Sequence, residues 1–255
     1  MIAILLALLP VAQAAPPTPV PVGSPPPRMA MLTPGVHRYS RYFVKDGRRV
    51  TMDIWTRRIA YEPKDGRRRL HLSMRWDREV APASTVDQDS WFDARDFRPL
   101  THVTTLTRDG KTSVGGYRFT SGAVVGMAEI ADNARRDFRQ ETPEAAFNFE
   151  YDMELLQTLP WRKGYAADLV FYDPGKEPPK HYTFRYEREE NRTGPDGKPI
   201  PCWVVTADYN TGKVASRFWL AKSNQLVIHE EGEHDGVIYV KTLIGAESAD
   251  QAASS

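Results

Sequence analysis

Leu70, Leu72, Met74 and Trp76 alternate without a break with Arg69, His71, Ser73 and Arg75. A strand turns successive side chains to opposite faces, so this spacing describes a half-buried strand and does not fit the repeat of about 3.6 residues in a helix. Tyr182, Phe184 and Tyr186 alternate in the same way with Thr183, Arg185 and Glu187, and Val50, Met52 and Ile54 with Thr51, Asp53 and Trp55. Segments 202–209, 214–221, 225–230 and 237–244 are rich in the β-branched and aromatic residues that fit a pleated surface. Asp-Gly pairs at 46–47, 65–66, 109–110, 196–197 and 235–236 punctuate these runs, and Asn210-Thr211-Gly212 fits a three-residue turn. Asp-Gly favours tight hairpins because glycine accepts positive φ. About a dozen strands joined mainly by hairpins form an antiparallel meander, since parallel neighbours need crossover connections. An open sheet of that size must curl. The chain is therefore expected to be mainly β, as a single large curved antiparallel sheet or half-open β-barrel.

One helix is expected. Thr142 before Pro143 fits an N-cap with proline in the first turn, Phe147, Tyr151, Leu155, Leu156 and Leu159 share one helical stripe, and Pro160 ends it. This amphipathic helix should cover the concave face of the sheet. The polar segment 132–140 reads as a loop or a short surface helix.

The ends set the address. Residues Ile2 to Leu9 are all apolar, and Pro10 and Ala12-Gln13-Ala14 follow. An apolar core before an A-x-A site is a signal peptide, so residues 1–14 are expected to be removed between Ala14 and Ala15, although no Lys or Arg precedes the core. The run is shorter than the roughly 18 residues that cross a bilayer. No cysteine follows it to take a lipid anchor. The expected location is the periplasm, and the chain is not expected to be an integral membrane protein. Prolines crowd residues 15–35, which reads as a disordered, solvated linker. Residues 36–245 form the antiparallel β domain, and 246–255 a flexible tail.

The formal net charge is +1, which lacks the basic footprint of a nucleic-acid partner. The single thiol, Cys202, closes no internal disulfide, so stability must come from apolar burial.

Motifs for catalysis, cofactors and metals are incomplete. In His229-Glu230-Glu231-Gly232-Glu233-His234 the histidines miss the spacing of a zinc-protease helix, and the segment reads as a solvated acidic loop. Gly110-Lys111-Thr112 copies the end of a phosphate loop, but Thr105 stands where its first glycine is needed. Ser113 lacks the flanking glycines of a nucleophile elbow. Cys202 beside Trp203 reads as a small core hydrophobe. The arginine groups 48–49, 57–58, 67–69 and 135–136 read as charges guarding strand edges. Asp87, Asp89, Asp93 and Asp96 around Trp91 are the one enzyme-like cluster, as a carboxylate pair for hydrolysis.

Aromatic residues carry the functional reading. Trp55, Trp76, Trp91, Trp161, Trp203 and Trp219 are spread over the expected sheet. Most should pack the core, yet a curved sheet under one helix also makes an apolar groove. The candidate lining is Met74, Trp76, Trp91, Tyr151, Leu155, Tyr186, Trp203 and Trp219.

Asp173-Pro174-Gly175, Tyr182-Thr183-Phe184, Cys202-Trp203-Val204-Val205, Phe218-Trp219-Leu220 and Gln225-Leu226-Val227 resemble the second half of a bacterial envelope family of unknown function, number thirty-one-oh-eight. Trp91-Phe92-Asp93 and Phe97-Arg98-Pro99-Leu100 resemble its first half. The resemblance implies a periplasmic domain similar in shape to the lipoprotein carriers LolA and LolB, half-open barrels whose helices cover an acyl-binding cavity. The expectation is a non-catalytic periplasmic protein that holds a lipid-like or acyl-chain ligand on the concave face. The alternative is an envelope module with a filled core and a protein partner, and a hydrolase comes third.

Overall fold

The protein is described by a computed structural model covering residues 16–78, 82–176 and 178–249. The signal peptide and its cleavage site, and the tail beyond residue 249, lie outside these residues. The strands are β1 (Thr18–Pro19), β2 (Gly35–Lys45), β3 (Arg48–Lys64), β4 (Arg67–Arg78), β5 (Ser84–Asp93) and β6 (Pro99–Arg108). They continue with β7 (Lys111–Thr120), β8 (Ala123–Gly126), β9 (Arg139–Glu141), β10 (Phe147–Asn148) and β11 (Ala166–Tyr172). After the α-helix α1 (Asp152–Gln157) and β11 come β12 (Lys180–Thr193), β13 (Pro199–Ala207), β14 (Ser216–Ala221), β15 (Val227–His234) and β16 (Val237–Ser248).

All sixteen strands belong to one sheet that does not close. Neighbours are antiparallel except at one edge, where the short β1 and β10 both pair in parallel with β11. The last strand, β16, lies against β2, so the chain's two long meanders meet in the middle of the sheet. Four of the five Asp-Gly pairs have positive φ at both residues, the backbone of a two-residue hairpin turn whose twist matches that of its strands. The fifth, Asp196-Gly197, is positive at glycine alone and belongs to a wider turn closed by Gly194 N–H on the Lys198 carbonyl.

The sheet rolls until its ends overlap. Phe171 of β11 faces the interior and meets Phe149 at 5.2 Å. Its neighbours Val170 and Tyr172 point the other way, and a second small core forms there with Tyr117, Val124 and Ala146. The inner face of β7 and β8 thus lies on the outer face of β11, like the loose turn of a scroll.

Three expectations need correction. The helix is six residues long, preceded by a single 3₁₀ turn at Phe149–Tyr151, and Phe147 lies in a strand. Thr142 does not cap it; its N–H bonds the Gly122 carbonyl. The stripe is nonetheless buried as a unit, with Tyr151, Leu155, Leu156 and Leu159 all in the core. Residues 16–34 are not a solvated linker: β1 pairs with β11, Val20 N–H bonds Asp168, and Val20 and Leu32 are buried. Apolar side chains between the prolines seal the sheet edge. Pairing of β16 with β2 also runs through Ser248, past the expected start of the tail.

Candidate functional site

The interior is filled by the protein itself. The helical segment sends Tyr151, Leu155 and Leu156 into the roll against Phe92, Phe97, Phe184 and Phe218, and Trp161 is fully buried. Charge lies there too. On β3 the inward residues are Asp53, Trp55, Arg57 and Ile59, so Met52 and Ile54 face outward, the reverse of the face expected from Val50, Met52 and Ile54. Arg57, read as an edge-guarding arginine, is buried: its Nε donates to Glu154 at 2.7 Å, and its guanidinium also bonds the Glu150 carbonyl at 3.0 Å. This pair clamps the helix to the sheet.

Towards the open end of the roll, Lys241 bonds Glu230 and Arg41 bonds Asp53. Trp55 stacks on Trp76 at 4.9 Å, with Arg41 4.0 Å and Lys241 4.3 Å from its ring. Asp152 makes no ion pair among the described residues. Burial, opposed by Lys241 and reinforced by Glu230, pushes its carboxyl up to about 7.

The expected groove residues do not assemble into a groove. Met74 and Trp76 do lie on the inner face, Met74 accepting from Arg57 and Trp76 stacked on Trp55. Tyr151 bonds the Leu72 carbonyl, and Leu155 is core. Trp91 is on the outer face, stacked on His71 at 4.0 Å, because strand alternation turns it away from buried Phe92. Tyr186 and Trp203 contact one another at 6.0 Å, with Lys222 over the Trp203 ring. Trp219 faces away from Phe218 and Leu220 and lies under Arg192.

The enzyme-like candidates are likewise dispersed. Although burial opposes it, a hydrogen bond from His71 holds the Asp89 carboxyl below its usual range, and the Arg95 backbone N–H with neighbouring arginines does the same for Asp93. A general acid needs the opposite shift. Burial pushes the Cys202 thiol up to about 11, away from the thiolate. Residues 227–234 are a strand, not a solvated loop; the buried His229 ring bonds Thr242 at 2.8 Å and Glu231 at 2.7 Å. Gly110-Lys111-Thr112 lies at the β6–β7 hairpin turn.

The space that could admit a ligand lies elsewhere. A cleft of about 530 Å³ opens beside the scroll overlap, bounded by Val22 and Gly23 of the leader, Arg98–Leu100, the β7–β8 hairpin and residues 142–146. Its apolar walls include Leu100, Phe119, Val124 and Ala146. A second cleft, about 480 Å³, runs over the outer face beside Arg38, Arg58, Arg75, Asp87 and Asp89, with Val36, Met74 and Val103 also in its walls. No local motif marks the first cleft; Phe97-Arg98-Pro99-Leu100, quoted above for family likeness, is the one stretch that touches it.

Residues 38–234 match the family described as "Protein of unknown function (DUF3108)". The chain belongs to this family. Among solved structures it is similar to a β-barrel-like protein of the domain of unknown function DUF1849 from Brucella abortus, at 14% identity and a TM-score of 0.55, over 86% of this chain and 99% of that one. At that identity the likeness concerns the fold alone. No curated protein matches the sequence. Among the described residues no helix is long and apolar enough to cross a membrane.

Proposed function

We propose that this family member is an exported, non-catalytic binding protein of the bacterial envelope that holds a lipid-like ligand in the seam cleft and not on the concave face. The observation that carries this is the contrast between an interior occupied by buried side chains and a cleft of about 530 Å³ at the overlap, with Leu100 and Phe119 in its walls. That volume is within the range, about 300–1,000 Å³, of small-molecule sites. It also separates this protein from LolA-like carriers, whose acyl chains enter the barrel. The apolar leader run before Ala15 supports export. The raised Cys202 thiol speaks against nucleophilic chemistry at that residue.

Native mass spectrometry of the protein purified from its own envelope should find a co-purifying lipid mass, and Phe119→Asp should remove it while leaving the circular dichroism spectrum unchanged. A bare protein mass that also fails to displace a fluorescent fatty acid would count against the reading. A second reading, a protein-interaction module, is favoured by the exposed Val50 and Tyr239, which flank Phe43 on one face near two adjacent hairpin tips. A photo-crosslinker at Tyr239 should then capture one partner repeatedly.

A further inference from the structure

At the β5–β6 connection beside the seam cleft, two arginines of the connection and one from β4 gather around two carboxylates. Asp93 is met by three guanidiniums, Arg69 at 2.7 Å, Arg95 at 3.4 Å and Arg98 at 3.9 Å. The other acid of the turn, Asp96, takes the Arg98 backbone N–H at 3.0 Å. Arg69 Nε is buried without an acceptor. Arg98 is the partner at the longest distance, and its side chain is half exposed. It is also the one charged residue in the cleft lining.

The backbone fixes this arrangement. Phe97 has φ 58° and is fully buried, packed 4.9 Å from Phe92. A bulky residue in the left-handed region is strained and persists only when its surroundings hold it. Phe97 N–H bonds the Asp93 carbonyl, and Asp93 N–H the Arg98 carbonyl, so the turn is pinned on both sides. Arg98 leaves a rigid corner at the rim of the cleft, across from Leu100 and Phe119 in its walls.

We propose that the seam cleft takes a single-chain carboxylate amphiphile of the fatty-acid class, its carboxylate paired with Arg98 and its chain laid along Leu100 and Phe119. This rests on the reading that the cleft binds an apolar ligand and adds the sign of its head. A guanidinium meets a carboxylate through two parallel hydrogen bonds, which an alcohol cannot supply. A single chain suits a cleft of this volume.

The test is calorimetric titration of the full chain with dodecanoate, dodecanol and dodecylammonium below their aggregation thresholds, and with short-chain phosphatidylglycerol. Dodecanoate should bind about tenfold or more tightly than dodecanol, the margin of a charge-assisted bond, and dodecylammonium more weakly than either. Arg98→Gln should bring dodecanoate to the level of dodecanol and leave dodecanol unchanged. Equal binding of acid and alcohol, or a preference that survives Arg98→Gln, would overturn the carboxylate assignment while the apolar-ligand reading stood. Tighter binding of the two-chain phosphate lipid would also overturn it. Failure of every chain to bind, with Phe119→Asp indistinguishable from wild type, would remove the underlying reading as well.

Discussion

Arg57 and Glu154 form a fully buried pair between β3 and α1. Removing one partner of such a pair leaves an uncompensated charge in the core, at a cost of about 3–5 kcal/mol, whereas replacing both with apolar residues is often neutral. Arg57→Met should therefore lower unfolding free energy by about that amount in urea titrations, and Arg57→Met combined with Glu154→Leu should restore most of it. Asp152 sets a pH dependence of definite sign. Its carboxyl titrates at about 7 in the folded protein against an ordinary 3.8. The folded state thus binds the extra proton between these values, and stability from this group falls as pH rises from about 4 to 7. Asp152→Asn cannot titrate. Its stability relative to wild type should improve on going from pH 5 to pH 8 by on the order of 2 kcal/mol, read from denaturant melts at each pH. A constant difference across that range would refute the assignment.

At the scale of the element, strands and turns were legible because their determinants are local. Period two gave β4 its buried Leu70, Leu72 and Met74, and paired positive φ made four Asp-Gly hairpins. The face of β3 was not legible, since Arg57 is inward only because Glu154, 97 residues away in sequence, receives it. The helix was over-extended because Phe147 satisfies a helical stripe and a parallel strand equally well; β11 decides between them. The seam cleft gathers residues from four distant segments, so only the completed roll brings them together. The docking of the leader is not legible, because proline density says how a segment is shaped, not whether it docks. Val20 and Leu32 are its anchors, and Arg28 adds a hydrogen bond to Gln225 at 2.9 Å. Leu32→Ala should destabilise the protein by about 2–5 kcal/mol, as for other buried leucines. It should also open residues 16–34 to limited proteolysis, which would spare them in wild type.

For the whole molecule, the pairing of β16 with β2 is decisive. The first long strand has no completed second neighbour until the chain has been made almost to its end. Folding waits on contacts of great sequence separation, the regime in which all-β domains fold in milliseconds to seconds or more slowly. Deleting Val237–Ser248 should abolish the cooperative unfolding transition, since it splits the sheet in the middle and leaves buried Tyr39 without its cross-strand partner Leu243. A truncated protein that still melted as one unit would contradict this architecture.

A closed barrel has a girth fixed by strand number and stagger. Here no hydrogen-bonded ladder among the described residues joins β7–β9 to β11; the turns of the roll touch through side chains such as Phe119 and Tyr172, 6.5 Å apart. The circumference is consequently not set by strand pairing: the outer wrap bears on β11 through ring contacts, and the short link 142–146 to β10 ties its end to the inner turn.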